Sequence, residues 1–227
     1  VKMKRELGQY FTTYNPFQNS GFLNWAYECD LSKTTILEPF AGSNNLINML
    51  QDMGLCVDFK SFDIEPKNKF VKRRDTLKNF PKGFKVCITN PPYLAQNSAR
   101  RRNIEFPNII YDDLYKYSLE KCLENCDYVG AIIPASFFNA NIFRERLSHY
   151  ILLNSKMFND TEHPVCLALF KKHKENSDDI DLYNDNKYLG KLSDLKKKLP
   201  RANLNMDIRF NVPNGNLGLI AIDNTIE

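Results

Sequence analysis

The chain has 227 residues, 43% of them hydrophobic and 26% charged, with a net charge of +4. That length suits one domain, or one domain with a small appendage, and the apolar content is ample for a core. No run approaches the roughly 18 apolar residues of a membrane helix. Residues 1–6 lack the apolar stretch of a signal peptide, so an intracellular, cytoplasmic protein with no membrane role is expected.

Hydrophobic periodicity predicts strands separated by helices: a strand over 35–37, a helix over 46–53 and a strand over 56–62. A further strand follows at 85–89, then a helix over 111–125 with apolar positions at Leu114, Tyr117, Leu119 and Leu123, and a strand over 128–133. Residues 136–150 read as helix. Residues 151–158 and 165–170 read as two strands close together, better joined as a hairpin than through a crossover helix. Residues 96–107 are polar and basic, long enough for a mobile loop. The tail from about 175 is rich in Asn, Asp and Lys and reads as the start of a second module.

This alternation predicts an α/β fold with a Rossmann-like, doubly wound sheet, mostly parallel with a C-terminal antiparallel hairpin. Ligands of such sheets bind beyond the carboxyl ends of the strands. Three motifs fall there. Glu38-Pro39-Phe40-Ala41-Gly42-Ser43 follows the first strand, Asp63-Ile64-Glu65-Pro66 ends the second, and Asn90-Pro91-Pro92-Tyr93 ends a later one.

Gly42 lets the backbone turn tightly and approach a ligand, and Glu38 offers a carboxylate to a cationic group. Neither GxGxxG nor GxxxxGK[ST] is present, so dinucleotide and triphosphate chemistry have no foothold. Asp63, about 20 residues after the Gly turn, stands where an acid accepts both ribose hydroxyls. An adenosine cofactor without a pyrophosphate is indicated. Asp75 suits either an adenine amine or a local surface ion pair. Asn90 and the carbonyls after it cluster hydrogen-bond acceptors beside an aromatic face, a site for a planar amine.

The cysteines at 29, 56, 87, 122, 126 and 166 show no CxxC and read as reduced core residues. Cys122 and Cys126, four apart on a helix, suit packing better than a metal half-site, and His149, His163 and His173 lack metal-like spacing, so no metal is expected. Basic residues cluster at 67–74, at Arg100, Arg101 and Arg102, and at 171–174. A solvated surface explains any one cluster, but the Arg triplet follows the Asn-Pro-Pro-Tyr segment directly.

Together the motifs resemble the adenine-specific DNA methyltransferases that use S-adenosylmethionine. The segment Gly8-Gln9-Tyr10-Phe11-Thr12 resembles that family's N-terminal cofactor segment. Residues 37–43 resemble its Gly-rich loop, Asp63 with Ile64 its ribose-binding turn, and Asn90 to Tyr93 its catalytic tetrapeptide. The order, cofactor loop before catalytic motif, is that of the gamma group. Val129 to Phe138, with Pro134-Ala135-Ser136, looks like the family's next strand and a structural helix. Phe158, twelve residues before Phe170, has the spacing of the aromatic that packs the target base from the second side, and core packing explains it nearly as well.

The resemblance covers about residues 4–172 and is specific only at the four named motifs. It implies an S-adenosylmethionine-binding catalytic domain over 1–172 and, over 173–227, the start of a small or incomplete target-recognition region. The partners it implies are double-stranded DNA and a cognate restriction endonuclease or specificity subunit, with Arg100 to Arg102 on phosphates. Two departures stand out: Asn44 occupies the place of a second Gly, where its side chain would crowd the cofactor, and the tail is short. Two rival readings fit the same residues, a methyltransferase for a protein glutamine or an RNA amine, and a silent nucleic-acid-binding subunit.

Overall fold

A computed structural model describes residues 14–154, 164–172, 176–200 and 213–214. Val1–Lys197 forms one compact unit and Lys198–Glu227 a second, of which only 198–200 and 213–214 are described.

In the first unit the described strands are β1 (Ile36–Glu38), β2 (Phe59–Asp63), β3 (Val71–Arg73), β4 (Val86–Thr89), β5 (Tyr128–Pro134), β6 (Leu147–Leu153), β7 (Val165–Phe170), β8 (Asp181–Asn184) and β9 (Lys187–Lys191). They make one sheet in the order β3-β2-β1-β4-β5-β7-β6-β8-β9. Neighbours from β3 to β5 run parallel, β7 is antiparallel to both β5 and β6, β8 is parallel to β6, and β9 closes a hairpin. The predicted mostly parallel sheet with an antiparallel hairpin is thus present. Strand order reverses between β1 and β4, so their carboxyl ends open a crevice.

The core follows from the period of two along each strand. Ile36, Val86, Ile88, Ile132, Leu167 and Leu169 point to one face, while Leu37, Cys87, Val129, Ala131, Ile133, Cys166 and Phe170 point to the other. The first face is covered by α1 (Ser20–Glu28) and α2 (Asn45–Asp52), through Phe22, Trp25, Leu46, Ile47 and Leu50. The second is covered by α4 (Leu114–Asn125), through Tyr115, Leu119 and Cys122, and by Phe137 of the one-turn α5 (Phe137–Ala140). Each fully buried Val, Leu, Ile or Phe among them contributes about 1.5–3 kcal/mol. Trp25 is fully buried, and its indole N–H donates to the Phe170 carbonyl at 3.1 Å.

Three expectations are corrected, and one helix was missed. Residues 136–150 are not one helix: Asn141 and Phe143 take left-handed backbone, at φ 54° and 55°, which ends α5 after a single turn. The chain then enters β6, because ladder bonds to β7 outweigh local helix propensity. Residues 96–107 are not all loop, since α3 (Gln96–Arg101) forms there around buried Ala99. The segments 181–184 and 187–191, grouped by sequence with the tail, are β8 and β9 of the same sheet, followed by α6 (Leu192–Lys197). Helix α1 was missed, although Asn19 caps it by accepting from Gly21 N at 2.7 Å. Among the described residues, no helix is long and apolar enough to cross a membrane.

Candidate active site

The turn from β1 into α2 needs left-handed backbone twice, at Gly42 (φ 51°) and at Asn44 (φ 66°). Glycine adopts it without penalty, and asparagine is among the few side chains that tolerate it. Asp63, at the end of β2, holds the turn: its carboxylate accepts from Gly42 N at 2.8 Å and from Glu65 N at 2.7 Å. Ala41 N donates to the Phe62 carbonyl at 2.8 Å, and the Thr76 hydroxyl to the Pro39 carbonyl at 2.9 Å. Asn44 is 1% exposed, and its Oδ1 accepts from the Ser61 hydroxyl at 2.6 Å. That side chain lies under the turn, toward β2, and lines no part of the cavity above it.

The cavity measures about 550 Å³, within the range of small-molecule sites. One wall is the turn itself, with Glu38, Phe40, Ala41, Gly42, Ser43, Asn45 and Leu46. A second carries Asp63, Ile64, Arg74, Asp75, Thr76, Leu77 and Lys78. Asn90, Pro92 and Leu94 follow from the end of β4, and Ile104, Glu105, Pro107, Asn108, Ile109, Leu114 and Tyr117 complete it.

Glu38 is the most unusual group here. It is 2% exposed, and its Oε2 has no hydrogen-bond partner among the described residues. Burial first, then the charge of Asp63, pushes its carboxyl well above the usual carboxylate range, while a hydrogen bond from the Ile47 backbone N–H pulls the other way. A buried carboxylate facing a cavity is stabilised by a positive group placed there. Asp75 lines the cavity and forms a 3.5 Å ion pair with Lys78. That pair is largely solvent-exposed and contributes little to stability.

Asn90 leaves the end of β4, so the same strand ends that present Glu38 and Asp63 bring it to the cavity. The Tyr93 hydroxyl lies 2.8 Å from Asn90 Oδ1 and 2.6 Å from the Ile132 carbonyl, and its single proton serves one acceptor at a time. Its ring meets Tyr115 edge-on, with centroids 6.2 Å apart. Pro91 is buried, and neither it nor Tyr93 lines the cavity.

Residues 26–163, more than half of the chain, match the family model described as Eco57I restriction-modification methylase. The chain belongs to this family. No curated protein matches it by sequence. Solved structures that resemble it include a Listeria monocytogenes protein described as a class I S-adenosylmethionine-dependent methyltransferase, at 16% identity and a TM-score of 0.52, covering 77% of this chain and 68% of that one. The methyltransferase subunit of a type I restriction-modification system from Streptococcus thermophilus is 14% identical, with a TM-score of 0.52 over 86% of this chain and 54% of its own. The protein of a DrdV–DNA complex is 14% identical, with a TM-score of 0.54 over 82% of this chain and 28% of its own. At these identities the likeness is one of fold, and the chain spans 54% of the Streptococcus thermophilus subunit and 28% of the DrdV protein.

Within this methylase family member, the structure gathers Glu38 to Ser43, Asp63, Ile64, Asp75 and Asn90 around one cavity, with Pro39 buried behind the turn. Arg100, Arg101 and Arg102 are exposed at the end of α3 and just beyond it. Gln9, Tyr10, Phe11, Thr12 and Phe158 lie outside the described residues. The wall residues Leu77, Ile104, Ile109 and Tyr117 were missed by sequence reasoning. They carry no motif: Ile104 and Ile109 reach the cavity because the chain between β4 and α4 folds back over it, while Leu77 follows β3 and Tyr117 lies on α4. All six cysteines are buried and free, and among the described residues no group of three or more metal-ligating side chains is placed to hold an ion.

Proposed function

We propose that this chain carries the catalytic unit of a methylase that transfers a methyl group from S-adenosylmethionine to the exocyclic amine of a flipped-out adenine in duplex DNA. The observation that carries this is the shared cavity: Asn90 and Pro92 stand on the same wall system as Glu38, Gly42, Asp63 and Asp75. The lining suits the cofactor. In this reading buried Glu38 takes the cofactor's positive charge, Asp63 the ribose hydroxyls and Asp75 the adenine amine.

When bound, S-adenosylmethionine supplies an electrophilic methyl group on a sulfonium. The chain's own residues position the acceptor. Asn90 Oδ1, 2.8 Å from the Tyr93 hydroxyl, accepts one hydrogen of the target amine. The Pro91 carbonyl accepts the amine's second hydrogen. These acceptors aim the nitrogen lone pair and offset positive charge as it develops. The base binds beside the cavity rather than in it, with the Tyr93 ring stacked on one face and Phe158 on the other. No general base is required, since the amine sheds its proton after transfer.

Arg100 to Arg102 contact phosphates, duplex DNA is the partner, and the enzyme acts in the cytoplasm beside a cognate endonuclease or specificity subunit. The chain beyond the sheet begins the target-recognition region. Tritiated S-adenosylmethionine offered with duplex DNA, RNA or protein tests the reading. Label is expected in DNA as N6-methyladenine and absent with Asn90→Ala, which keeps cofactor binding. Label in RNA or protein supports the rival amine acceptors, and label in none supports a silent subunit.

A further inference from the structure

The 94–114 segment leaves the sheet directly after the catalytic tetrapeptide and folds back to the start of α4. Its two ends are zipped together: Leu114 N donates to the Leu94 carbonyl at 3.0 Å, Gln96 N to the Asp112 carbonyl at 2.7 Å, and Ala95 bridges antiparallel to Asp113. Asp113 Oδ1 accepts from Leu94 N and from Tyr115 N, each at 3.2 Å, which ties this base to α4. Inside the excursion, Leu94, Ala99 and Leu114 form a small core on which Ile104, Phe106 and Ile109 pack.

One large apolar side chain of the excursion escapes that core. Ile110 is 90% exposed, although its neighbour Ile109 lines the cavity. A single exposed apolar residue is ordinary on a protein surface. Ile110 differs in its setting: it projects from a zipped base, next to a wall of the cavity that Asn90 shares, on the excursion that also carries three exposed arginines.

We propose that Ile110 is a wedge that enters the duplex beside the target adenine and fills the stack the flipped base vacates. The inference rests on duplex DNA being the substrate. Extruding a base breaks its stacking and pairing, and apolar side chains inserted at such a step offset part of that loss. Isoleucine suits the role because its branched Cβ leaves few rotamers to be lost on insertion. Nearby arginines on phosphates would hold the duplex against it.

The test uses the whole protein and the site it methylates, mapped by sequencing genomic DNA after treatment with S-adenosylmethionine. Two duplexes carry that site, one with thymine opposite the target adenine and one with an abasic position there. Ile110→Ala is expected to lower kcat/KM by on the order of tenfold on the paired duplex. On the abasic duplex, where pairing is already lost, the reduction should be clearly smaller, and Ile110→Leu should retain most activity on both. Because Ile110 is exposed, folding and cofactor affinity should not change. Equal losses on the two duplexes, or no loss on the paired one, would overturn the wedge. If wild type labels no DNA at all, the methylase reading fails, and the wedge falls with it.

Discussion

Replacing Glu38 by glutamine keeps the shape of the side chain and removes its charge, so it isolates what a buried carboxyl does at the floor of the cavity. In the free protein, burial and the charge of Asp63 keep Glu38 protonated at pH values where an ordinary glutamic acid has already ionised. A cationic group entering beside Glu38 favours the ionised form, so cofactor binding should expel a proton. Linkage sets the size of the effect: below the free-state pKa of Glu38, up to one proton leaves, and affinity rises by up to tenfold per pH unit. That slope corresponds to about 1.4 kcal/mol per unit and vanishes once Glu38 is ionised without ligand.

Calorimetric titration with S-adenosylmethionine in buffers of different ionisation enthalpy counts the protons released. The cofactor's own titration is common to both proteins, so the difference between wild type and Glu38→Gln reports Glu38 alone. The folded-state shift is upward. Stability contributed by Glu38 is therefore complete below its unfolded pKa and lost as pH rises through the folded one. Glu38→Gln should accordingly flatten the decline of the urea midpoint with rising pH. Equal proton release by the two proteins would refute Glu38 as the partner of the cofactor's positive charge.

Two further outcomes test how the scaffold is held. Asn44→Gly keeps the left-handed turn but removes the 2.6 Å bond from Ser61, so it should cost about 1 kcal/mol in urea denaturation and leave cofactor affinity unchanged. An increase in affinity would mean that the asparagine side chain crowds the site after all. The half-buried Arg146 guanidinium donates to the carbonyls of Leu123, Cys126, Asp127 and Lys171, joining α4 to the ends of β5 and β7. Arg146→Lys cannot reach all four, so thermal or chemical denaturation should show a loss of about 2–4 kcal/mol.

Much of the site was legible before any coordinates because its chemistry is local. The Gly42 turn, Asp63 about 20 residues later and the Asn90 to Tyr93 tetrapeptide sit directly after strands whose apolar runs mark them. The parallel sheet then places those three strand ends together. The apolar strands β4, β5 and β7 were legible for the same reason, since both of their faces are buried. Other elements gave no such signal. In β3 only Val71 is buried, followed by exposed Lys72 and Arg73, and β9 is almost wholly exposed, so neither has a period to read.

The sequence by itself determined the fold class, the motif order and the residue types at the cavity, because short-range periodicity and turn chemistry are written in neighbouring residues. Tertiary structure alone decided which way residues 136–153 would go. There, a left-handed backbone at Asn141 and Phe143 and pairing with β7 replaced the expected helix. It also turned the Asn44 side chain away toward Ser61, buried Glu38 at the cavity with its Oε2 lacking a partner among the described residues, and folded 94–114 so that Ile109 lines the cavity while Ile110 stands in solvent. The physical reason is the same in each case. Burial, pairing and side-chain direction depend on contacts between segments far apart in the chain, and no local pattern encodes them.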